Sequence, residues 1–210
     1  MDTYDLVNSI CENGSTLQVL DLSNSTLVST QLKLIIKKCV ELKELNLAGV
    51  MIWSEIANVH YDNYFANYLA KNLTTKIEKL SIVFMNFRDE NVKTLVSRCT
   101  KISSINLAIT KITEDSLKSI IDHLGQTLEE LHLTTYFNDK FSVLKVMLKE
   151  LPKLKILNTE YKLNIYDPFS FDDFGKELNS ISVNKKEVIV AANISPGNGI
   201  WEIKTEGILE

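Results

Sequence analysis

An α/β fold of stacked strand–helix units is predicted by three observations: a recurring apolar motif, its period, and helical spacing between its copies. The motif is L-x-x-L-x-L, with Ile sometimes replacing Leu. It falls at Leu17-Leu20-Leu22, Leu42-Leu45-Leu47, Ile77-Leu80-Ile82, Ile102-Ile105-Leu107 and Leu128-Leu131-Leu133, and again at Leu154-Leu157 with Thr159 in third place. Successive copies start 25, 35, 25, 26 and 26 residues apart. Four of these gaps share one period, and the long one holds an insertion of about ten residues, placed within Trp53–Tyr64. Strand side chains alternate faces, so the last two apolar residues of each motif point into a core and the residue between them points out. The first packs on the turn that enters the strand. One such unit cannot bury its own apolar face, but stacked units form a continuous core. The prediction is therefore a leucine-rich-repeat solenoid, a horseshoe with parallel strands on its concave face and helices on its convex face.

The elements follow in chain order. A short helical turn with Leu6, Val7 and Ile10 precedes the first strand, and no clear capping unit covers that end. The expectation is that more protein, or another chain, covers the exposed edge. After the first strand, Gln31–Lys38 places Leu32, Ile35 and Ile36 on one helical face. Asp89–Arg98 does the same with Val92, Leu95 and Val96, and carries acidic residues in its first turn, where the helix dipole favours them. Glu114–Leu124 aligns Leu117, Ile120, Ile121 and Leu124, and Phe141–Leu148 aligns Leu144 and Leu148. The repeats occupy residues 1–160. A tail over 161–210 carries Tyr166–Phe174, which mixes aromatics with acids, and short strands at Val188–Ala191 and Ile200–Lys204 across a Pro-Gly-Asn-Gly turn. Its composition favours a cap over the last repeat.

The outward strand positions form three columns. The central one reads Asp21, Asn46, Ser81, Asn106, His132 and Asn158. Before it run Val19, Glu44, Lys79, Ser104, Glu130 and Ile156; after it run Ser23, Ala48, Val83, Ala108, Thr134 and Glu160. This face is small and polar with few charges, suited to hold an extended peptide or loop of a protein substrate through hydrogen bonds. It has no arginine cluster of the kind that reads phosphate. Asp21, Ser23, Asn46, Ser81, Asn106, His132, Thr134 and Asn158 are the candidate binding residues.

Composition narrows the function classes. The 210 residues carry a net charge of −4, which argues against a nucleic-acid reader. His60, His123 and His132 make no metal-ligand spacing, and Cys11, Cys39 and Cys99 are too far apart for a zinc knuckle or redox pair. No metal or cofactor is expected. Cys39 and Cys99 each stand three residues before a motif, at the end of a repeat helix, where a small buried thiol packs well. Glu129-Glu130 and Asp172-Asp173 are adjacent pairs whose side chains point opposite ways on a strand, so they do not form an acid–base pair. With no nucleophile motif either, the chain reads as non-catalytic. The first residues lack a basic n-region and long apolar core, and no stretch has the length of a membrane span. Residence in cytoplasm or nucleus is expected, and the four N-x-S/T sites at Asn13, Asn24, Asn72 and Asn193 are read as chance.

Several segments go beyond the period: Leu20–Leu27 (LDLSNSTL), Lys37–Gly49 (KKCVELKELNLAG), Asn91–Leu107 (NVKTLVSRCTKISSINL), Leu151–Leu157 (LPKLKIL) and the ending Ile200–Lys204 (IWEIK). In these the chain resembles the F-box and leucine-rich-repeat family. The ending is the more specific part, since periodicity does not require it. The resemblance implies the substrate receptor of a Skp–cullin–F-box ubiquitin ligase, acting in protein degradation and cell-cycle control. In that family the F-box binds the Skp adaptor. The repeats and a returning tail recruit a cyclin-dependent-kinase inhibitor, helped by a small kinase regulatory subunit. The tail, with Trp201, would then line the binding face. The chain departs from the family in two ways. There is no room for an F-box before Leu17, so this polypeptide alone is not expected to dock on the adaptor in the usual way. Just after the strands, where the pattern puts tryptophan, arginine or aspartate, it has Gly49, Asn86, Ile109 and Thr135.

Overall fold

The computed structural model describes residues 3–53, 62–134, 146–161, 187–194 and 199–206. Along the chain these form α1 (Thr3–Glu12), β1 (Val19–Asp21), β2 (Thr26–Val28), α2 (Ser29–Lys38), β3 (Glu44–Asn46), β4 (Met51–Trp53), α3 (Asp62–Asn72) and β5 (Lys79–Ser81). They continue with α4 (Asp89–Arg98), β6 (Ser104–Leu107), α5 (Glu114–Leu124), β7 (Glu130–Thr134), β8 (Ile156–Tyr161), β9 (Glu187–Ile194) and β10 (Gly199–Glu206). The result is a mixed α/β fold with a mostly parallel sheet. Its strand order is β1-β3-β5-β6-β7-β8-β9-β10, and only the last pairing is antiparallel.

The apolar motif sets the register. Leu20 pairs with Leu45, Leu45 with Leu80, Leu80 with Ile105, Ile105 with Leu131 and Leu131 with Leu157. Each of these is buried, and so are Leu22, Leu47, Ile82, Leu107 and Leu133 two residues further on. The first motif position is buried in the last five copies, while Leu17 is half-buried against the same core. Strand entry repeats one hydrogen-bond device. The Gln18 carbonyl accepts the N–H groups of Lys43 and Glu44, and Lys43, Glu78, Ser103 and Glu129 do the same for the strand that follows each. A shift of one residue would send every apolar side chain of a strand to the wrong face, so this register is strongly specified.

The helices bury the faces that their spacing predicts. Leu32, Ile35 and Ile36 of α2, Val92, Leu95 and Val96 of α4, and Leu117, Ile120 and Leu124 of α5 are all buried, with Ile121 only partly so. Helix α3 stands where the spacing analysis placed none, after the inserted residues; Phe65, Ala66, Leu69 and Ala70 bury its inner face. Residues 146–150 are helical, whereas the beginning of the predicted Phe141–Leu148 helix lies outside the described residues. So do residues 54–61 of the insertion and Tyr166–Phe174 of the tail. A second, two-stranded parallel sheet pairs β2 with β4 and buries Leu27 against Ile52.

Polar side chains at the third helical position stitch the helix starts. Gln31 and Asn91 each accept the N–H of the residue before their helix, Val28 and Arg88, at 3.0 Å. These are orphan donors of a helix N-terminus, and a side-chain acceptor satisfies them. Asn91 also donates to Asn67 Oδ1 of α3 at 2.7 Å. At the other end, Arg98 donates to the Ala70 and Leu73 carbonyls at 2.9 and 3.2 Å, so α4 caps the last turn of α3. Cys39 and Cys99 follow α2 and α4 directly and are buried, which pushes both thiols up to about 11.

The chain turns out of β1, β3, β5 and β6 through one conformation. Asn24, Gly49, Phe84 and Ile109 all have positive φ, at 56°, 68°, 66° and 55°. Each stands seven residues after the start of its motif. Glycine and asparagine tolerate this region, whereas a β-branched or bulky residue there is strained. At Gly49 a Cβ would also lie 2.7 Å from Asn24 Oδ1.

Beyond β8 the sheet continues into the tail. Strand β9 pairs parallel with β8, Leu157 opposite Val190, and β10 returns antiparallel beside β9. The two tail strands contain the predicted Val188–Ala191 and Ile200–Lys204 and extend them on both sides.

Candidate protein-binding face

The central outward column is a continuous row in the structure. Asp21, Asn46, Ser81, Asn106, His132 and Asn158 are consecutive partners across β1, β3, β5, β6, β7 and β8, and Ala191 of β9 extends the row. The preceding column, Val19 through Ile156, is in register in the same way. Alternation makes both rows point away from the leucine core. Between them lies a shallow groove of about 320 Å³, lined among others by Asp21, Asn46, Lys79, Ser81, Asn106 and His132.

Three of the row's side chains also have a structural duty that sequence reasoning missed. Asp21 accepts the N–H of Ser23 at 2.8 Å, and Asn46 and Asn106 accept those of Ala48 and Ala108 at 3.0 Å each. Each closes a turn of its own backbone two residues on, as Asx side chains do. The signal was present in the sequence, because Asp or Asn stands two residues before the strand exit in these three copies. Asn46 Nδ2 further donates to Asp21 Oδ2 at 3.0 Å. The hydrogen bonds from Ser23 and Asn46 hold the Asp21 carboxyl below the ordinary range, so it is ionised on this face.

The charges of the neighbouring column are mostly engaged. Lys79 pairs with Glu44 at 3.0 Å, and Ser104 donates to Glu130 Oε2 at 2.8 Å. His132 is half-buried in the row; burial lowers its pKa, and the nearby Glu130 only partly offsets this. It is therefore a neutral imidazole at pH 7, able to donate one hydrogen bond and accept another. Ser81 and Asn158 are half-buried row members. Ser23 and its column stand at the strand exits, next to the positive-φ turns. Thr134 pairs with Glu160 through the β7–β8 ladder, and Trp201 stands opposite Ala192 in the β9–β10 ladder; their side chains lie outside the described residues, as does Thr135. The row thus joins six of the nine predicted site residues on one side of one sheet, with Ser23 just past the end of β1, Thr134 in the same strand as His132 and Trp201 two strands beyond Asn158.

The chemistry on offer is hydrogen bonding from hydroxyl, amide and imidazole groups, plus a small excess of carboxylates. Among the described residues no three His, Cys, Asp or Glu side chains come together as metal ligands would. No described helix is long and apolar enough to cross a membrane.

No protein-family model matches the sequence. Among solved structures, the chain is similar to leiomodin-1 actin-binding site 2, with 15% identity, 78% of this chain and 82% of that chain covered, and a TM-score of 0.38. A likeness at that level carries no argument about function.

Proposed function

We propose that this chain is a leucine-rich-repeat module, a horseshoe whose concave face holds an extended segment of another protein. The observation that carries the reading is the unbroken row from Asp21 to Asn158, which sets small polar side chains on one face at the spacing of neighbouring strands, about 4.8 Å. Solenoids present such extended surfaces for binding. Following the resemblance to the F-box and leucine-rich-repeat family, the module is the substrate-recognition part of a Skp–cullin–F-box ubiquitin ligase receptor. It would select proteins for ubiquitin-dependent degradation in cell-cycle control, in cytoplasm or nucleus. The tail strands continue the same sheet, which supports a place for the tail beside the binding face. A cyclin-dependent-kinase regulatory subunit would be a co-partner in this reading.

A second reading is favoured by Gly49 and Ile109, which replace the family's polar and charged residues just after the strands. In it the module is a stand-alone interaction scaffold without a ligase role. Tagging the C-terminus at the native gene locus separates the two. Co-purification of the Skp adaptor and a cullin supports the ligase receptor. Partners that include neither support the scaffold.

A further inference from the structure

The positive-φ turns carry an anomaly. Asn24 and Gly49 suit a left-handed backbone, but the next two copies use Phe84 and Ile109. A β-branched residue at φ 55° is a genuine outlier, and strain of this kind persists where something else requires the side chain. Packing does not require it, since Phe84 is 63% exposed and Ile109 39%. The two turns are neighbours: the Phe84 N–H donates to the Ala108 carbonyl at 3.3 Å. Each residue follows a groove-lining residue by three positions, Phe84 after Ser81 and Ile109 after Asn106. The apolar pair therefore stands at the strand exits, three residues past the groove lining. Beside it the unbalanced charge is acidic. Among the described residues of the two columns the carboxylates are Asp21, Glu44 and Glu130 and the cation is Lys79, which is paired with Glu44, while His132 adds no charge at neutral pH.

Resting on the binding-face reading above, we propose that Phe84 and Ile109 are the apolar anchor of the docking surface. They take a large apolar side chain of an extended partner segment, and lysine or arginine residues of that segment lie toward Asp21 and Glu130. From β1 to β7 is four strand spacings, or roughly 19 Å, which an extended chain covers in about six residues. The partner motif is thus short, basic and interrupted by an apolar residue. Large apolar groups dominate binding energy when a polar surround excludes water from them.

The test is selection of short random peptides, displayed on phage, against the full chain, followed by affinity and melting measurements on three variants. Enriched peptides are expected to combine basic residues with a large apolar one. Phe84→Asn and Ile109→Asn, which install the residue the row itself uses at position 24, are each expected to weaken those peptides about tenfold or more. Their melting temperatures are expected to stay level or rise by up to about 3 °C as strain is relieved. Ser81→Arg, which obstructs the groove, should abolish binding. Peptides lost on Ser81→Arg but unaffected by both rim variants overturn the anchor and leave the binding face standing. Peptides indifferent to all three variants, or no enrichment at all, overturn both. A clear fall in melting temperature in either rim variant also overturns the anchor, because the side chain would then be structural.

Discussion

Asp89 accepts both the backbone N–H and the hydroxyl of Thr113, each at 2.8 Å, and so ties the first turn of α4 to the N-cap of α5. Ser116, at the third position of α5, donates to the same carboxylate. Partial burial pushes the Asp89 carboxyl up, but the hydrogen bonds from Ser116 and Thr113 outweigh it and hold the group below its ordinary range. Hydrogen bonds to a charged group contribute about 1.5–3 kcal/mol, so Asp89→Ala is expected to cost on that order at pH 7. A depressed carboxyl stabilises the fold above its unfolded pKa, about 3.9, and the contribution fades as pH falls through the folded value. Melting of wild type and Asp89→Ala across pH 3–7 checks this. The gap should be full at neutral pH and close under acid; a gap independent of pH would show that the carboxylate charge is not what ties the helices.

The buried row beneath the proposed binding face tests the register. Leu45 and Leu107 sit in the core with no accessible surface to speak of, and their strand neighbours Asn46 and Asn106 point the other way. Burying an unpaired carboxylate costs several kcal/mol, a large share of a domain's total stability, so Leu45→Asp and Leu107→Asp should unfold the chain. Ser81→Arg, one residue from buried Leu80, should leave the melting temperature within about 1–2 °C. Circular dichroism melts decide it. Survival of either aspartate variant at the wild-type temperature would mean the strands alternate in the opposite phase.

The three thiols should react very unequally. Burial raises Cys39 and Cys99 to about 11, which leaves a thiolate fraction of roughly one in ten thousand at pH 7. Cys11 is only partly covered, although burial raises its thiol too. A thiol alkylating reagent added to the native chain should label Cys11 slowly and alone, and the other two only after denaturation. Labelling of Cys39 or Cys99 in the folded chain, read by peptide mass, would place those helix ends in solvent and remove them from the core.

What the sequence made legible follows the strength of its signals. The period-two alternation of leucines located every strand of the large sheet from β1 to β8, because a half-buried strand leaves that pattern and little else does. The row on the opposite side came with it, since alternation fixes both faces at once. Helices α4 and α5 were readable to the residue from apolar spacing, and α4 also from its acidic first turn. Helix α3 was not: it follows an insertion that breaks the period, and its inner face uses Ala66 and Ala70, which stand out poorly as apolar positions. Strands β2 and β4 have one buried residue each, Leu27 and Ile52, too little for any period to show. Most hidden were the backbone conformations. Nothing in the letters Phe84 and Ile109 announces a left-handed turn; only alignment with Asn24 and Gly49 in the repeat could have raised the question.

That row of turns yields the last prediction, at Gly49. Its φ of 68° penalises any residue with a Cβ, by about 1–2 kcal/mol. A second cost comes from the neighbouring turn, because the new methyl would lie 2.7 Å from Asn24 Oδ1. Gly49→Ala should therefore destabilise by more than the conformational term alone. The two costs are separable, since removing the Asn24 amide deletes only the clash. Asn24→Ala by itself loses a residue that tolerates its left-handed backbone and should also destabilise. In the double variant, however, the alanine at 49 should cost less than it does beside the native asparagine, by about 0.5–1 kcal/mol in a double-mutant cycle. Denaturant unfolding of the four proteins measures the coupling. Strict additivity would show that the Asn24 side chain swings aside at no cost, and that Gly49 is required by its backbone angle only.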